Sequence, residues 1–264
     1  VMERLADEVD YQELLDKSRT KLSDLPVVGL DQIDNDHPFN IDQQHTAYSL
    51  NQESFKFLLD PMLVTGLEKV SAMGYGIAPN ALSGGEGGMS RYFSQRFAQV
   101  TNPPLDSLRE SDGMTLRVAL GAKPTFAEGN SQQLVIDSPI LQRTQLEQIR
   151  NQKTVSVLTL DALYTPEFEN PERNETNLIA ACEKICNKVE KAALNNVGII
   201  IISDINVSPE QAAVPAVLLI AAANQHLIQK GLRFNSSLIA ETGQAASAHD
   251  VATILGFGAS AICP

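Results

Sequence analysis

The sequence has few of the residues that disulfide scaffolds and metal centres require. Its 264 residues include no tryptophan, only three cysteines and only four histidines. Cys182, Cys186 and Cys263 are too few and too unevenly spaced for a disulfide framework or an iron–sulfur cluster, and the histidines lack the HxxxH spacing typical of zinc. We therefore predict a reduced protein that carries no metal and no cofactor in this segment.

Basic residues are also scarce. Twenty Lys and Arg stand against 32 Asp and Glu, which gives a net charge of -12, whereas nucleic acids and anionic membrane surfaces are bound by basic patches. The longest apolar run, residues 212–223, contains Pro215 and is shorter than the ~20 residues of a membrane-spanning helix. No secretory signal follows Val1. We predict no nucleic-acid partner, no membrane association and a cytoplasmic location.

The second half of the chain alternates between short apolar runs and longer periodic segments. Two-sided apolar strands that alternate with helices predict a parallel sheet with right-handed crossovers, about half of a (β/α) barrel. We therefore predict an α/β, barrel-like (β/α) domain with parallel strands and an elaborated, mainly helical N-terminal half. The predicted strands are Val155–Leu160, Val197–Ile202, Ser237–Ala240 and Ala259–Ile262, and the helices between them are Thr176–Leu194, one that runs to Lys230, and Ala248–Leu255.

In the first half, a helical stripe of apolar residues runs from Phe55 to Val70. The pattern Ser49-Leu50-Asn51-Gln52 predicts a capping box at its start, and Pro61 predicts a kink or two abutting helices. The region 113–150 is typical of a helix, a long excursion and a return to the core.

The stretch Arg91–Glu110 predicts an amphipathic helix that stops at a double proline. Phe93, Phe97 and Val100 lie at i, i+4 and i+7, and the prolines end the helix and hold the following segment extended. Three charges then come together at one corner, for which we predict an interdomain or structural role rather than a catalytic one. The candidate residues are Thr101, Asn102, Pro103, Pro104, Asp106, Arg109 and Glu110.

Polar residues follow three of the predicted parallel strands. Asp161, Asp204 and Glu241, with Thr242 beside the last, would lie at the C-terminal edge of the sheet, where barrel enzymes keep their sites. Converging carboxylates could bind a divalent metal or share a proton. Alternatively, each accepts hydrogen bonds from the loop or helix that follows. We favour the structural role, since no histidine, lysine or reactive cysteine accompanies them.

A glycine-rich loop at Ser83–Gly88 leaves two alternatives open. Backbone donors before a helix could bind a phosphate. However, the loop has neither GxGxxG nor Walker spacing, and Glu86 would repel the anion. A surface loop is the better interpretation.

Two distant groups of residues resemble the central domain of glutamate synthase. The first is the segment Arg91–Glu110, which is similar to that family's FAQVTNPP-ID-x-RE phrase. The second comprises Gly231-Leu232-Arg233, Glu241-Thr242-Gly243 and Leu255–Ala259, in the order and spacing of the same domain. The resemblance covers essentially the whole chain, while the loop Gly74–Gly88 departs from the family pattern.

The resemblance implies a connector from an amidotransferase domain at residues 1–25 and a central domain at residues 26–264, an α/β module related in shape to the flavin-binding barrel. Such a domain is non-catalytic. It packs the glutamine amidotransferase and FMN-binding domains and contributes to the environment of an ammonia channel. The parent enzyme would make glutamate from glutamine and 2-oxoglutarate with FMN and a 3Fe-4S cluster, with ferredoxin favoured over NADPH as electron donor. In a plant or alga the location would be the plastid stroma.

Two other classes remain open from the residues alone. One is a free-standing (β/α) barrel enzyme that binds a phosphorylated or metal-linked substrate at the C-terminal edge of the strands. The other is a pure interaction module. A large exposed apolar patch without a pocket would favour that class.

Overall fold

The computed structural model describes residues 10–33, 37, 39–69, 88–94, 106, 108–109, 113–124 and 132–264. The strands of this part are β1 Arg19–Lys21, β2 Val118–Leu120, β3 Gln133–Ile136, β4 Val157–Asp161, β5 Leu163–Tyr164, β6 Ile199–Ser203, β7 Ala212–Ala213, β8 Ser237–Glu241 and β9 Ala261–Cys263. The α-helices are α1 Tyr11–Ser18, α2 Ile41–Ala47, α3 Gln52–Ser54, α4 Asp60–Thr65, α5 Arg143–Asn151, α6 Pro171–Leu194, α7 Ala216–Gln229 and α8 Ala248–Gly256. None of these helices is long and apolar enough to cross a membrane.

A four-stranded parallel sheet in the order β4-β6-β8-β9 forms the centre of the fold. All five residues of β6 and of β8 are buried, as expected for strands covered on both faces. Ile140 extends the sheet beyond β9 through a parallel bridge to Ile262. The α/β class, the parallel sheet and all four predicted strands are confirmed.

Each face of this sheet is covered by a different layer. Side chains that alternate along the strands pack on one face against α6, α7 and α8. On the other face, Ile199, Ile201 and Ile239 pack with Leu146 and Ile149 of α5 and with the strands β2 and β3. In a barrel, this second face would line the interior. Among the described strands the sheet is open, and α5 together with a small second sheet fills that side.

The second sheet has the order β1-β3-β2, with β1 parallel and β2 antiparallel to β3. Its strands β1 and β2 lie in the N-terminal half of the chain, for which we predicted mainly helices. In the region 113–150, Gly113 is helical and β2 begins five residues later. The predicted return to the core is β3, whose Leu134 is fully buried.

The helical stripe that begins at Phe55 is interrupted, as Pro61 predicts. The residues Phe55–Leu59 form a π-helix between α3 and α4, and Gly66 ends α4 in the left-handed conformation with φ 71°. The N-cap lies two residues later than expected, since Asn51 accepts a hydrogen bond from the Ser54 amide and Ser49 itself has φ 59°.

The helix predicted to begin at Arg91 is wrong for its first residues. Met89–Tyr92 form a 3-10 helix, and Phe93 is extended, with φ -108° and ψ 143°. Phe93 instead packs its ring against Phe257, with the ring centroids 4.7 Å apart. The remainder of the predicted helix, residues 95–100, lies outside the described residues.

The side chain of Arg233 donates hydrogen bonds to three separate segments of the chain. Its Nε donates to the Asn224 side chain, Nη1 donates to the Ser236 carbonyl at 2.8 Å, and Nη2 donates to the Gly258 carbonyl at 2.8 Å. No carboxylate is among these partners. The planar guanidinium with its fixed fork of donors therefore links α7 to the loops before β8 and β9.

Candidate functional site at the C-terminal edge of the parallel sheet

The register of the parallel sheet brings the polar strand ends to one edge. Asp161 is opposite Ser203, Ser203 is opposite Glu241, and Glu241 is opposite Cys263. Each strand ends where its apolar run gives way to polar residues. Because the strands are parallel, the side chains at these strand ends lie at the same edge of the sheet.

Asp204 is buried, with 2% of its surface exposed. One carboxylate oxygen accepts from the Thr242 hydroxyl at 2.5 Å and from Gln244 Nε2 at 2.9 Å, and the other accepts from the Gly243 amide at 3.1 Å. Burial raises the pKa of Asp204, and these donors oppose that rise. Three donors from this chain thus converge on the Asp204 carboxylate, and the structural role of Asp204 and Thr242 stays a prediction.

Glu241 forms an ion pair with an arginine of α5, the helix that packs on the second face of the sheet. Its Oε2 accepts from Nη2 of Arg150, on α5, at 2.6 Å, and Arg150 also pairs with Glu147. Burial opposes the charge of Arg150, but hydrogen bonds and charges from Glu241 and Glu147 raise its pKa. Sequence reasoning missed Arg150, because it lies 91 positions before its partner and no local pattern marks it.

Asp161 stands apart from the other two carboxylates. Its side chain is exposed and accepts a hydrogen bond from Asn206 Nδ2 at 2.8 Å. The three carboxylates thus have separate partners rather than one shared site. In the described part of the chain, no group of three or more His, Cys, Asp or Glu side chains has an arrangement that could hold a metal ion.

A cavity of about 340 Å³ lies between this edge of the sheet and the segment that contains α2. Tyr48, which follows α2, donates its hydroxyl to the Asp204 carbonyl at 3.0 Å, and its ring lies directly over Gly243. Arg143, at the first position of α5, and Cys263 line the same cavity. Burial raises the pKa of Tyr48 and raises that of Cys263 to about 12, so both groups are neutral at physiological pH.

The protein-family comparison matches residues 43–264 to the glutamate synthase central domain. The match includes the sheet, its covering helices and the polar edge. The chain belongs to the glutamate synthase central-domain family.

Curated relatives agree with this assignment. The ferredoxin-dependent glutamate synthase of Cyanidium caldarium is 36% identical over 225 residues, which are 84% of this chain and 14% of that protein. The enzyme of the same name from Pyropia yezoensis is 32% identical over 97% of this chain and 16% of its own. The NADH glutamate synthase of Schizosaccharomyces pombe is 30% identical over 96% of this chain and 12% of its own. The chain thus spans about one seventh of the length of these relatives.

Among solved structures, a mutant of flavocytochrome b2 with benzoylformate matches 46% of this chain and 25% of its own, with 16% identity and a TM-score of 0.31. A likeness this low carries no conclusion about function or about closure of the sheet.

Of the predicted corner at Thr101–Glu110, the structure describes Asp106, Leu108 and Arg109. Asp106 Oδ1 accepts from the Arg109 amide at 2.9 Å, and the two side chains form an ion pair at 3.5 Å. Both side chains are more than half exposed. Thr101, Asn102, Pro103, Pro104 and Glu110 lie outside the described residues, as does the loop 83–87. The interdomain role of this corner therefore stays a prediction.

Proposed function

We propose that this chain is the non-catalytic connecting domain of a glutamate synthase. It packs the glutamine amidotransferase and FMN-binding domains of the parent chain and contributes to the environment through which ammonia passes. The observation that carries the proposal is the match of residues 43–264 to the central domain of proteins about seven times longer. The parent enzyme makes glutamate from glutamine and 2-oxoglutarate.

The state of the thiols supports a non-catalytic role. A cysteine nucleophile requires a lowered pKa and access to the substrate. Burial raises the pKa of Cys186 to about 11 and that of Cys263 to about 12, and it also raises the pKa of Cys182. These shifts leave each thiol protonated at neutral pH and a poor nucleophile.

The connecting role implies where the remaining parts lie. Residues 1–25 form the connector from the amidotransferase domain and residues 26–264 form the central domain, whose sheet is related in shape to the flavin-binding barrel. FMN and the 3Fe-4S cluster belong to the remainder of the parent. Relatives named as ferredoxin-dependent favour ferredoxin as electron donor, although an NADH enzyme also matches. Several plant relatives are named as chloroplastic, so the location is the cytoplasm or, in a plant or alga, the plastid stroma.

The experiment that tests this proposal uses the purified 264-residue chain. FMN is added in excess and then removed by gel filtration, after which the visible spectrum is recorded. Ammonia release from glutamine is measured on the same sample. We expect neither retained flavin nor ammonia release. Retention of one FMN per chain would overturn the proposal, and sustained glutamine hydrolysis would do the same.

A second arm tests the packing. The chain is co-expressed with the separately encoded amidotransferase and FMN-binding parts of the parent enzyme, and the complex is isolated through a tag on this chain. We expect both parts to be recovered with it. Recovery of neither part, from a sample in which all three are folded, would contradict the connecting role.

A further inference from the structure

The cavity beneath the α2 segment has opposite charges in its lining, and the connecting role does not require them. We propose that this cavity binds a small zwitterion such as a free α-amino acid, with the ligand's ammonium group at Glu241 and its carboxylate at Arg143. The inference is independent of the connecting role, since a domain that packs others can also carry a ligand.

Glu241 supplies the acceptor. Its side chain is only 9% exposed, and Oε2 is committed to Arg150. Within the described residues, Oε1 accepts no hydrogen bond, and the one fully enclosed side-chain polar atom without a partner is His37 Nε2. Glu241 lines this cavity, and we place Oε1 at the cavity surface as the acceptor. A carboxylate oxygen in so sheltered a place is a strong acceptor for a charged N–H group.

Arg143 supplies the opposite charge. An arginine side chain carries a permanent positive charge, and its planar fork of five donors fits a carboxylate. Arg143 takes part in a further interaction of its own, so a ligand's carboxylate would share its donors. Glu241 and Arg143 both act on the thiol of Cys263 in the cavity lining, the former raising and the latter lowering its pKa. Both side chains line this cavity, so the two charges border the same space.

The volume of the cavity and the charges in its lining restrict the class of ligand that it can bind. A volume of about 340 Å³ is near the lower end of the ~300–1,000 Å³ of small-molecule sites. The lining contains one arginine, Arg143, and two carboxylates, Asp204 and Glu241, so it offers partners of both signs. A neutral molecule with separated charges matches such a lining.

The test measures binding to the whole 264-residue chain by isothermal titration and by thermal shift. The probes are glycine, L-alanine and L-serine, with methylammonium and acetate as single-charge analogues. We expect at least one amino acid to bind in the low-millimolar range or tighter, and at least ~10-fold more tightly than either analogue, because a second charged contact strengthens binding by at least that factor.

Two variants locate the site. Glu241→Gln and Arg143→Gln should each weaken amino-acid binding by ~10-fold or more, since each removes one charge-assisted contact. The matched control is Asp161→Asn, which removes a carboxylate at the same sheet edge but outside the cavity lining, and it should bind as the unmodified chain does. Circular dichroism checks that each variant is folded. If Glu241→Gln unfolds because Arg150 loses its partner, Arg143→Gln decides alone.

Three results would overturn the inference. The first is that no amino acid binds at ~50 mM, a concentration well above the dissociation constant expected here. The second is that methylammonium or acetate binds as tightly as the amino acids do. The third is that the folded cavity variants bind amino acids as tightly as the unmodified chain does. Retention of FMN would overturn the connecting role and leave this inference standing, so the two failures are distinguishable.

Discussion

The ring of Tyr48, in the α2 segment, lies against Gly243, which follows strand β8. A Cβ built on Gly243 would lie 2.6 Å from Cδ2 of Tyr48 and 2.7 Å from its Cγ, which is well inside van der Waals contact. The backbone of Gly243 is not among those with positive φ, so alanine would cause no strain of its own. The substitution Gly243→Ala thus acts through the side chain of Tyr48.

The expected cost has two parts. Overpacking a well-fitted site costs about 1–3 kcal/mol. Displacing the ring also removes the hydrogen bond from the Tyr48 hydroxyl to the Asp204 carbonyl, at 3.0 Å, which contributes a further ~0.5–1.5 kcal/mol. Together we expect Gly243→Ala to lower the free energy of unfolding by about 2–4 kcal/mol.

A double-mutant cycle identifies the cause. In a Tyr48→Ala background the ring is gone, so Gly243→Ala should cost less than ~0.5 kcal/mol. The free energies are measured by urea denaturation followed by circular dichroism. The control is Gly256→Ala at the end of α8, where an added Cβ meets nothing within 4 Å, and this change should be neutral or slightly stabilising. Equal costs of Gly243→Ala in the two backgrounds would refute the reasoning.

Four further expectations follow from the described contacts. Arg233→Lys should lower the free energy of unfolding by about 2–4 kcal/mol in urea denaturation, because one ammonium cannot reach the three acceptors that the guanidinium fork reaches; a cost below ~0.5 kcal/mol would contradict this. Stability should fall as pH rises from 9 towards 12, because Cys263 has a folded pKa of about 12 against an ordinary value of 9.0 and the folded state resists the thiolate; Cys263→Ala should flatten the urea-midpoint profile in that window. Arg109→Ala should cost only ~0–1 kcal/mol in the isolated chain, since its pair with Asp106 is exposed, and a larger loss would show an additional buried contact. Calcium, magnesium or manganese at low millimolar concentration should leave the melting temperature unchanged, since a ligand that binds only the native state must raise it; a rise of several degrees would favour a metal-binding edge.

The second half of the fold could be predicted because each element has a local signal. The strands β6 and β8 are short runs of apolar residues, and each lies within two residues of its predicted range. Gly231, with φ 70°, follows α7 as a helix-ending glycine does. Ser247 caps α8 by accepting from the Asp250 amide. Apolar periodicity, helix caps and helix-ending glycines agree in this half, so the sequence alone predicted its parallel strands and the helices between them.

The second sheet and α5 could not be predicted in the same way. The strands β1, β2 and β3 have three or four residues each and are held by pairing between distant segments. So short a strand has too few residues to show a period, and its stability comes from tertiary packing. Tyr48 and Asp204 are 156 positions apart, so the α2 segment carried no sign that it would cover the edge of the sheet.

The position of α5 accounts for the ion pair at this edge of the sheet. By filling the face that a barrel would keep for its interior, α5 places Arg150 beneath Glu241, where the pair is 24% and 9% exposed. Removal of Arg150 would leave the Glu241 carboxylate buried without its partner, and breaking a buried pair typically costs about 3–5 kcal/mol. Glu241 therefore requires Arg150, and Arg150 fixes α5 against the sheet. The carboxylate of Glu241 is thus an attachment point for α5.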